Sequence, residues 1–341
     1  QWQIEKIAPF PFQDLNDHEQ DFFVESLERF SNKVWRKPKQ EKKYRYDMAV
    51  LVDPEEKMPP SDASALKRFK RAANRLGMSL EQITPDDISR LGEFDGLFIR
   101  ATTNISNFTY RFAKKAEKMG LIVMDDSESI MKCTNKVFLT ELLQRHKVPA
   151  PHGVILQSFN PNWKENLLAE LSLPMVLKIP DGAFSRGVVK VRTEEELVTE
   201  ATKLFEKSAL ILAQTFMPTD FDWRIGVINR QPIFACKYMM SRGHWQIYQH
   251  HSSGRVSSGS FETLDLKQVP KHVVETAVKA SNLIGSGLYG VDLKEIDGQV
   301  YVIEVNDNPS IDHHVEDGFL GDLLYDRIMT EFLRRIQMRG F

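Results

Sequence analysis

LYGVDLKEIDGQVYVIEVNDNP, residues 288–309, organises the reading of this chain. Two β-rich runs, Leu288–Glu295 and Val300–Asn306, flank Asp297-Gly298, and an Asp-Gly pair between such runs signals a hairpin. The second run carries Val300, Tyr301, Val302, Ile303 and Val305 without clean alternation, which predicts a strand buried on both faces. Glu304 and Asn306 interrupt it two positions apart, so on a strand they share a face. A carboxylate and an amide among apolar residues are costly to bury unpaired. Asp292 on the preceding run offers a third oxygen. Hard oxygen donors of this kind suit Mg²⁺ shared with nucleotide phosphates; solvated polar residues at a hairpin end are the plainer alternative.

Parity decides whether the three oxygens meet, because cross-strand partners share a face. A two-residue Asp297-Gly298 turn in a regular ladder pairs Asp292 with Ile303 and turns Asp292 away from Glu304. A three-residue loop, Ile296-Asp297-Gly298, pairs Asp292 with Val302 and brings Asp292, Glu304 and Asn306 together. The metal site therefore requires a three-residue loop or a bulge.

A length of 341 residues predicts two or three domains or subdomains, with 42% hydrophobic and 27% charged residues as in soluble globular proteins. The net charge of −2 gives no global field for nucleic acid. Cys133 and Cys236 form neither CxxC nor a zinc spacing, which predicts a reduced, cytoplasmic protein with inert thiols. No apolar run reaches membrane-spanning length, so no membrane partner is expected. Residues 1–46, which begin at Gln1, read as the tail of an N-terminal region or a linker, with helical spacing over Glu19–Phe30 and a basic run over Arg36–Arg45.

From Asp47 strand and helix alternate: Met48–Val52, a helix over Ser61–Leu76 capped by Ser61, Phe94–Arg100, a helix over Phe108–Met119, and Leu121–Met124. This predicts a small parallel, Rossmann-like sheet over 47–125. It lacks G-x-G-x-x-G, so dinucleotide binding is not expected. Arg100 closes its strand at the carboxyl end, where open α/β sheets bind ligands; a surface salt bridge is the alternative. An amphipathic helix over Thr134–His146, with Thr134 as cap, contains Lys136, and Pro149-Ala-Pro151 marks a subdomain entry. Lys178 sits in the apolar strand Met175–Ile179, and a buried lysine seldom lacks a partner. The small-residue loop Asp181–Gly187 and strand Val188–Val191 follow, an arrangement that cradles phosphate or makes a plain hairpin. Leu210–Phe216 is a strand, and Phe221–Ile228, Pro232–Met239 and Trp245–His250 form a meander. Residues 252–260 read as a mobile loop, Lys271–Leu283 as a helix, and Phe319–Ile336 as the closing helix. The pairs His250-His251 and His313-His314 read as loop residues.

Lys136, Lys178, the loop 181–187, the strand ending AQTFMP (213–218), the triplet DWR (222–224) and Asp292…Glu304-Val-Asn306 occur in one order. Together they resemble the ATP-grasp superfamily, most closely its RimK-like carboxylate–amine ligases, over about residues 125–335. The run GLFIRATTNISNFTYRFAKKAEKMGLIVMDDSESIMKCTNKVFL (96–139) resembles the subgroup with an additional RimK-like N-terminal domain.

The resemblance implies an α/β (α+β) chain: a pre-ATP-grasp Rossmann-like domain over 47–125, then an ATP-grasp domain over 126–341 whose two α+β subdomains clasp ATP, the small lid subdomain spanning about 152–216. It implies that Lys136 and Lys178 hold ATP phosphates and that the loop with Gly182, Ser185, Arg186 and Gly187 closes over them. Gln214, Thr215, Phe216 and Met217 would form the adenine hinge, and Asp222 would lie near the ribose. Asp292, Glu304 and Asn306 would bind two Mg²⁺ ions, with Mn²⁺ able to substitute. Arg224 would face the reacting acyl phosphate. Beside what the resemblance implies, Lys237 is a candidate catalytic cation, and with Arg242, His244 and Arg255 it surrounds the meander and loop bordering the substrate cleft, where the four could hold the carboxylate; a solvated rim is the alternative. Arg100, Arg242, His244, Arg255 and Asn308 are candidate substrate contacts around the cleft. Thr215 departs from the glutamate frequent at that position, and Phe184 and Arg186 from a loop usually richer in glycine.

The implied reaction joins a carboxylate to an amine through an acyl phosphate, the partners being ATP, an amino acid, and a peptide, protein-tail or amino-acid-derived carboxylate. A homo-oligomer stays open. The residue types suit that chemistry, since phosphoryl transfer is catalysed mainly by positioning and charge neutralisation. A carboxylate kinase, a thiol ligase and a non-catalytic nucleotide-binding module remain open.

Overall fold

The computed structural model describes residues 11–32, 44–181, 187–241, 245, 248–250 and 256–339. The chain divides into two compact units, residues 1–43 and 44–341. In the first, helix α1 (Asp17–Asn32) starts at a reciprocal cap. Asn16 N donates to Glu19 Oε2 and Glu19 N to Asn16 Oδ1, both at 3.0 Å. Its Phe22, Phe23, Val24 and Leu27 side chains are exposed.

The second unit opens with a parallel sheet of β1 (Tyr46–Leu51), β2 (Met78–Ile83), β3 (Gly96–Ile99) and β4 (Ile122–Met124), in the order β2-β1-β3-β4. Helices α2 (Ala63–Arg75) and α3 (Phe108–Lys118) make crossovers. The cap of α2 is Asp62, whose Oδ1 accepts from Ala65 N at 2.6 Å, not Ser61. Ser61 is buried instead, and its hydroxyl donates to Ile311 O at 2.9 Å. The helix expected over Thr134–His146 is present, but Thr134 is not its cap. Helix α4 (Ser127–Thr134) ends at Thr134, and Asn135 caps α5 (Lys136–Arg145) by accepting from Phe138 N at 3.0 Å.

An antiparallel sheet follows: β5 (Gly153–Gln157), β6 (Met175–Lys178), β7 (Val188–Val191) and β8 (Leu210–Thr215), in the order β5-β8-β6-β7. Leu167 of α6 (Trp163–Glu170) and Leu197, Ala201 and Leu204 of α7 (Glu194–Phe205) share its core with Met175, Leu177, Val191 and Ile211.

The largest sheet contains β9 (Phe221–Ile228) and β10 (Gln231–Met239). After a separate ribbon, β11 (Tyr248–His250) with β12 (Val256–Ser258), come β13 (Phe261–Leu264), β14 (Leu288–Ile296) and β15 (Gln299–Asp307). The order is β13-β10-β9-β14-β15, antiparallel throughout. One face packs on α8 (Lys271–Ile284), where Trp223, Ile225, Val291, Leu293 and Val305 meet Val273, Ala277 and Ala280. Helix α9 (Asp322–Met338) brings Tyr325, Ile328 and Phe332 into one core with Phe69 of α2, Met48 and Phe98 of the first sheet, and Ile228 and Phe234 of the largest. Among the described residues no helix is long and apolar enough to cross a membrane.

Of the two alternatives, a three-residue loop or a bulge, the β14–β15 hairpin takes the bulge. Ile296 pairs with Gln299 across a two-residue turn in which Asp297 (φ 51°) and Gly298 (φ 74°) are both left-handed, as a tight hairpin turn requires. Pairing is regular up to Leu293–Val302; the next pair is Asp292–Glu304, so Ile303 is the extra residue of a β-bulge. Burial changes parity there: Val300 and Val302 before it, and Val305 after it, all face the α8 core. The unbroken apolar run is therefore two half-buried segments out of phase, not a strand buried on both faces.

Candidate active site

The face of the largest sheet opposite α8 carries opposed charges in rows. Arg224 on β9 stands across from Asp292 on β14, and Glu304 on β15 across from Asp292 on its other side. Arg224 grips Asp292 through two bonds, Nε to Oδ1 and Nη2 to Oδ2, both 2.7 Å. Asn306 Nδ2 donates to Asp292 Oδ2 at 3.1 Å and to Gly290 O at 3.2 Å. Like charges directly opposite on adjacent strands are destabilising, so cations flank this pair. Lys136 Nζ bonds Glu304 Oε1 at 2.8 Å. Burial alone pushes Glu304 up, but the charge and hydrogen bond of Lys136, with Lys178 and Arg224, bring its carboxyl below the ordinary value.

A cavity lies between this face and the antiparallel sheet. Lys136 enters it from the first residue of α5, where its backbone N–H bonds Pro180 O at 3.1 Å and ties α5 to the strand of Lys178. Lys178 has no hydrogen-bond partner among the described residues. Burial pulls its pKa down to about 8, Glu304 working against that fall and Lys136 and Lys294 adding to it. Val176, Val188, Phe216, Met217 and Trp245 supply an apolar wall. Phe216 and Trp245 meet edge-on with centroids 5.8 Å apart, and Lys190 Nζ stands 3.4 Å from the Phe216 centroid on this wall. Gln214 is buried in the lining, and its Oε1 has no partner among the described residues.

The sequence-derived residues Lys136, Lys178, Gln214, Thr215, Phe216, Met217, Asp222, Arg224, Asp292, Glu304, Asn306 and Asn308 all line this cavity. Lys237 does not join them. It pairs with Trp223, next to Arg224 along β9, and so points to the opposite face, beside the Phe221 and Trp223 rings and 3.7 Å from Glu262. Arg100 is neither a surface ion pair nor in the cavity lining. It is 1% exposed and donates to Ser61 Oγ at 3.0 Å, Asn308 Oδ1 at 2.7 Å, Pro309 O at 2.8 Å and Pro60 O. Gly187 has φ 71°, and a Cβ there would lie 2.6 Å from Ile179. Gly182, Ser185, Arg186, Arg242, His244 and Arg255 lie outside the described residues. So do most of the two segments expected to move, 182–187 and 252–260, although Val256–Ser258 forms β12. His313 and His314 stack at 3.6 Å, with His313 Nδ1 2.8 Å from Asp317, away from the cavity.

Sequence reasoning missed Lys294, which lines the cavity two residues after Asp292; strand parity alone puts it on the same face. It also missed Asp125. This buried carboxylate accepts from Leu288 N and from Asn308 N, both at 2.7 Å, and so ties together the open ends of the β14–β15 hairpin. Burial pushes Asp125 up to about 8 and the adjacent Asp307 up to about 7.

Among the described residues no three His, Cys, Asp or Glu converge on a point. Two carboxylates with an amide are too few for a resident metal, but Mg²⁺ usually takes only one or two carboxylates and completes its shell with water and phosphate. The Asp292, Glu304 and Asn306 oxygens fit that shared arrangement.

A model of the RimK-like ATP-grasp domain matches residues 133–318, more than half of the chain. A Legionella pneumophila (strain Corby) protein named probable alpha-L-glutamate ligase is 25% identical over 225 residues, covering 65% of this chain and 71% of its own. A Thioalkalivibrio sulfidiphilus protein of the same name is 27% identical over 222 residues, covering 64% and 70%. Among solved structures, D-alanine–D-alanine ligase from Bacillus anthracis superimposes with a TM-score of 0.65 at 15% identity, over 86% of this chain and 99% of its own. A RimK domain ATP-grasp protein from Sphaerobacter thermophilus gives 0.62 at 15% identity, over 84% and 99%. These last two likenesses attest the fold.

Proposed function

The chain belongs to the RimK-like ATP-grasp family, and on that premise we propose that it is an ATP- and Mg²⁺-dependent ligase joining a carboxylate to an amine through an acyl phosphate. One observation carries this reading: a bulge sets two carboxylates face to face on adjacent strands beside a desolvated lysine that has no described hydrogen-bond partner. Such a site suits a phosphate anion at the lysine and a divalent cation shared between that phosphate and the carboxylates. Residues 126–341 form the ATP-grasp domain, with 152–216 as its small subdomain and 47–125 as the preceding domain.

The nucleotide's base lies against Gln214–Met217 and the apolar wall, and its phosphates reach Lys136 and Lys178. Asp292, Glu304 and Asn306 would hold Mg²⁺, which would supply charge neutralisation at the transferring phosphoryl group. A substrate carboxylate oxygen attacks the γ-phosphorus, the bond to the β-phosphate oxygen breaks, and ADP leaves. The amine then attacks the carbonyl carbon and expels phosphate. Arg224, its guanidinium fixed by Asp292, faces the charge that develops on the acyl phosphate. The name borne by the relatives makes glutamate the first amino acid to test, against peptide and protein-tail carboxylates.

The test is isotopic. With ¹⁸O in the substrate carboxylate, one label appears in released phosphate, and the nucleotide product is ADP. AMP and pyrophosphate would mean adenylation and overturn the reaction; acyl phosphate accumulating regardless of amine would favour a carboxylate kinase.

Lys178 gives the site a pH dependence of definite sign. Its folded pKa of about 8 lies below its ordinary value of 10.5. The folded protein therefore binds fewer protons than the unfolded chain between these values, and this lysine adds stability as pH rises through that window. Phosphate binding needs the cation, so nucleotide affinity falls as pH rises past about 8. Calorimetry at pH 8–9 in buffers of different ionisation enthalpy detects the proton taken up on binding. Lys178→Met binds nucleotide more weakly and loses the uptake; parental affinity and uptake in this variant would remove the assignment.

A further inference from the structure

Among the described residues that line the cavity, Lys294 is a largely buried cation that neither the phosphate nor the acyl-transfer chemistry above employs. It stands on β14 two residues beyond Asp292, hence on the same face, one row further from Glu304. Its Nζ donates to Asp222 Oδ1 at 2.5 Å and to Thr219 Oγ1 at 2.6 Å. Thr219 Oγ1 in turn donates to the same Asp222 oxygen at 3.2 Å. The lysine and aspartate side chains are only 12% and 13% exposed. Every hydrogen bond described for Asp222 falls on Oδ1, which leaves Oδ2 for an occupant of the cavity that Asp222 lines. An ionised carboxylate oxygen accepts and never donates, so its complement is a hydroxyl or amino group.

Geometry decides which part of a nucleotide meets that oxygen. The Asp222–Lys294 row lies two residues, about 7 Å, from the Arg224–Asp292 row. The latter contains Asp292 and adjoins Glu304, the carboxylates proposed to hold the metal that the phosphates share. On the other side, Asp222 follows the wall residues Phe216 and Met217 by only a few positions. A nucleotide with its base on that wall and its phosphates at Glu304 and Lys136 has its sugar over Asp222.

We propose that Lys294 determines specificity for the nucleotide sugar, by clamping Asp222 through one oxygen so that the other reads a ribose hydroxyl. The inference rests on the nucleotide reading above. The lysine acts through the aspartate as a positioning residue. Without its charge and two donors, Asp222 loses the partners that fix its rotamer and offset its burial, and no longer presents one aimed acceptor.

The test measures affinities of the whole protein for ATP, 2′-deoxyATP and 3′-deoxyATP with Mg²⁺ by calorimetry. The parent is expected to prefer ATP over at least one deoxy analogue by about tenfold or more, the value of a hydrogen bond to a charged acceptor. Lys294→Gln brings that ratio close to one, whereas Lys294→Arg, which keeps charge and donors, retains most of it. If Lys294→Gln does not fold, Asp222→Asn carries the same expectation. No preference in the parent, or an unchanged ratio in the folded Gln variant alongside uniformly weaker binding, overturns the proposal and leaves Lys294 structural. Absence of binding by any of the three nucleotides to the parent would overturn the nucleotide reading itself.

Discussion

Glu304→Ala lowers ADP formation by roughly a thousandfold or more, in line with losing a metal ligand and its charge stabilisation together. Glu304 is the carboxylate on which the site converges: it bonds Lys136 at 2.8 Å, opposes Asp292 across the hairpin, and is the largest counter-charge acting on Lys178. Without it, Lys136 and Lys178 lose their shared anion, and the oxygens proposed for Mg²⁺ are reduced to those of Asp292 and Asn306. Its own side chain is 30% exposed, so the fold tolerates the change. Far-ultraviolet circular dichroism and the melting curve check that. Parental ADP release in a folded Glu304→Ala protein would refute the metal assignment. Glu304→Gln, which keeps the shape but removes the charge, shares the defect if charge is what matters.

Arg100→Met destabilises the 44–341 unit by about 3–5 kcal/mol, the usual cost of removing one member of a buried charged network. Arg100 joins the first sheet to the far end of the hairpin through Ser61, Pro60, Asn308 and Pro309. Methionine fills the space but leaves four acceptors without their donor, each costing about 1–3 kcal/mol if unrelieved. Burial lowers the Arg100 pKa to about 10, with Asp312, Asp125 and Glu316 opposing the fall, so the guanidinium stays charged at neutral pH. In a thermal melt the expected fall in Tm is roughly 6–20 °C. A shift within about 2 °C would show that water replaces the guanidinium and that the clamp is dispensable.

Much of this was legible beforehand because it rests on short-range rules. The Asp297-Gly298 turn, the same-face spacing of Glu304 and Asn306, and the strand–helix alternation after residue 46 follow from local periodicity. What was not legible depends on contacts between distant residues. Nothing in LYGVDLKEIDGQVYVIEVNDNP distinguishes a bulge at Ile303 from a longer loop, because both satisfy the same parity. Ser61 looked like a helix cap because its partners Ile311 and Arg100 lie far along the chain. Strand β2 was missed because Glu81 and Gln82 break its alternation. Lys237 was misplaced because a meander's register cannot be counted from sequence alone. Its pairing with Trp223 settles the face it occupies.

The extra residue at Ile303 also bears on how the protein avoids sticking to itself. β15 is the outermost strand of the five-stranded sheet, and a long straight outer strand offers a row of free amides and carbonyls to any other chain. Here the row is interrupted. The bulge kinks the strand, and Val302 N is already committed to Pro149 O at 2.8 Å. A redesign that deleted Ile303 to obtain a regular hairpin would still align Asp292 with Glu304, yet it would straighten a border that natural sheets keep irregular. The bulge thus absorbs the extra residue without disturbing the site and keeps the sheet's border irregular.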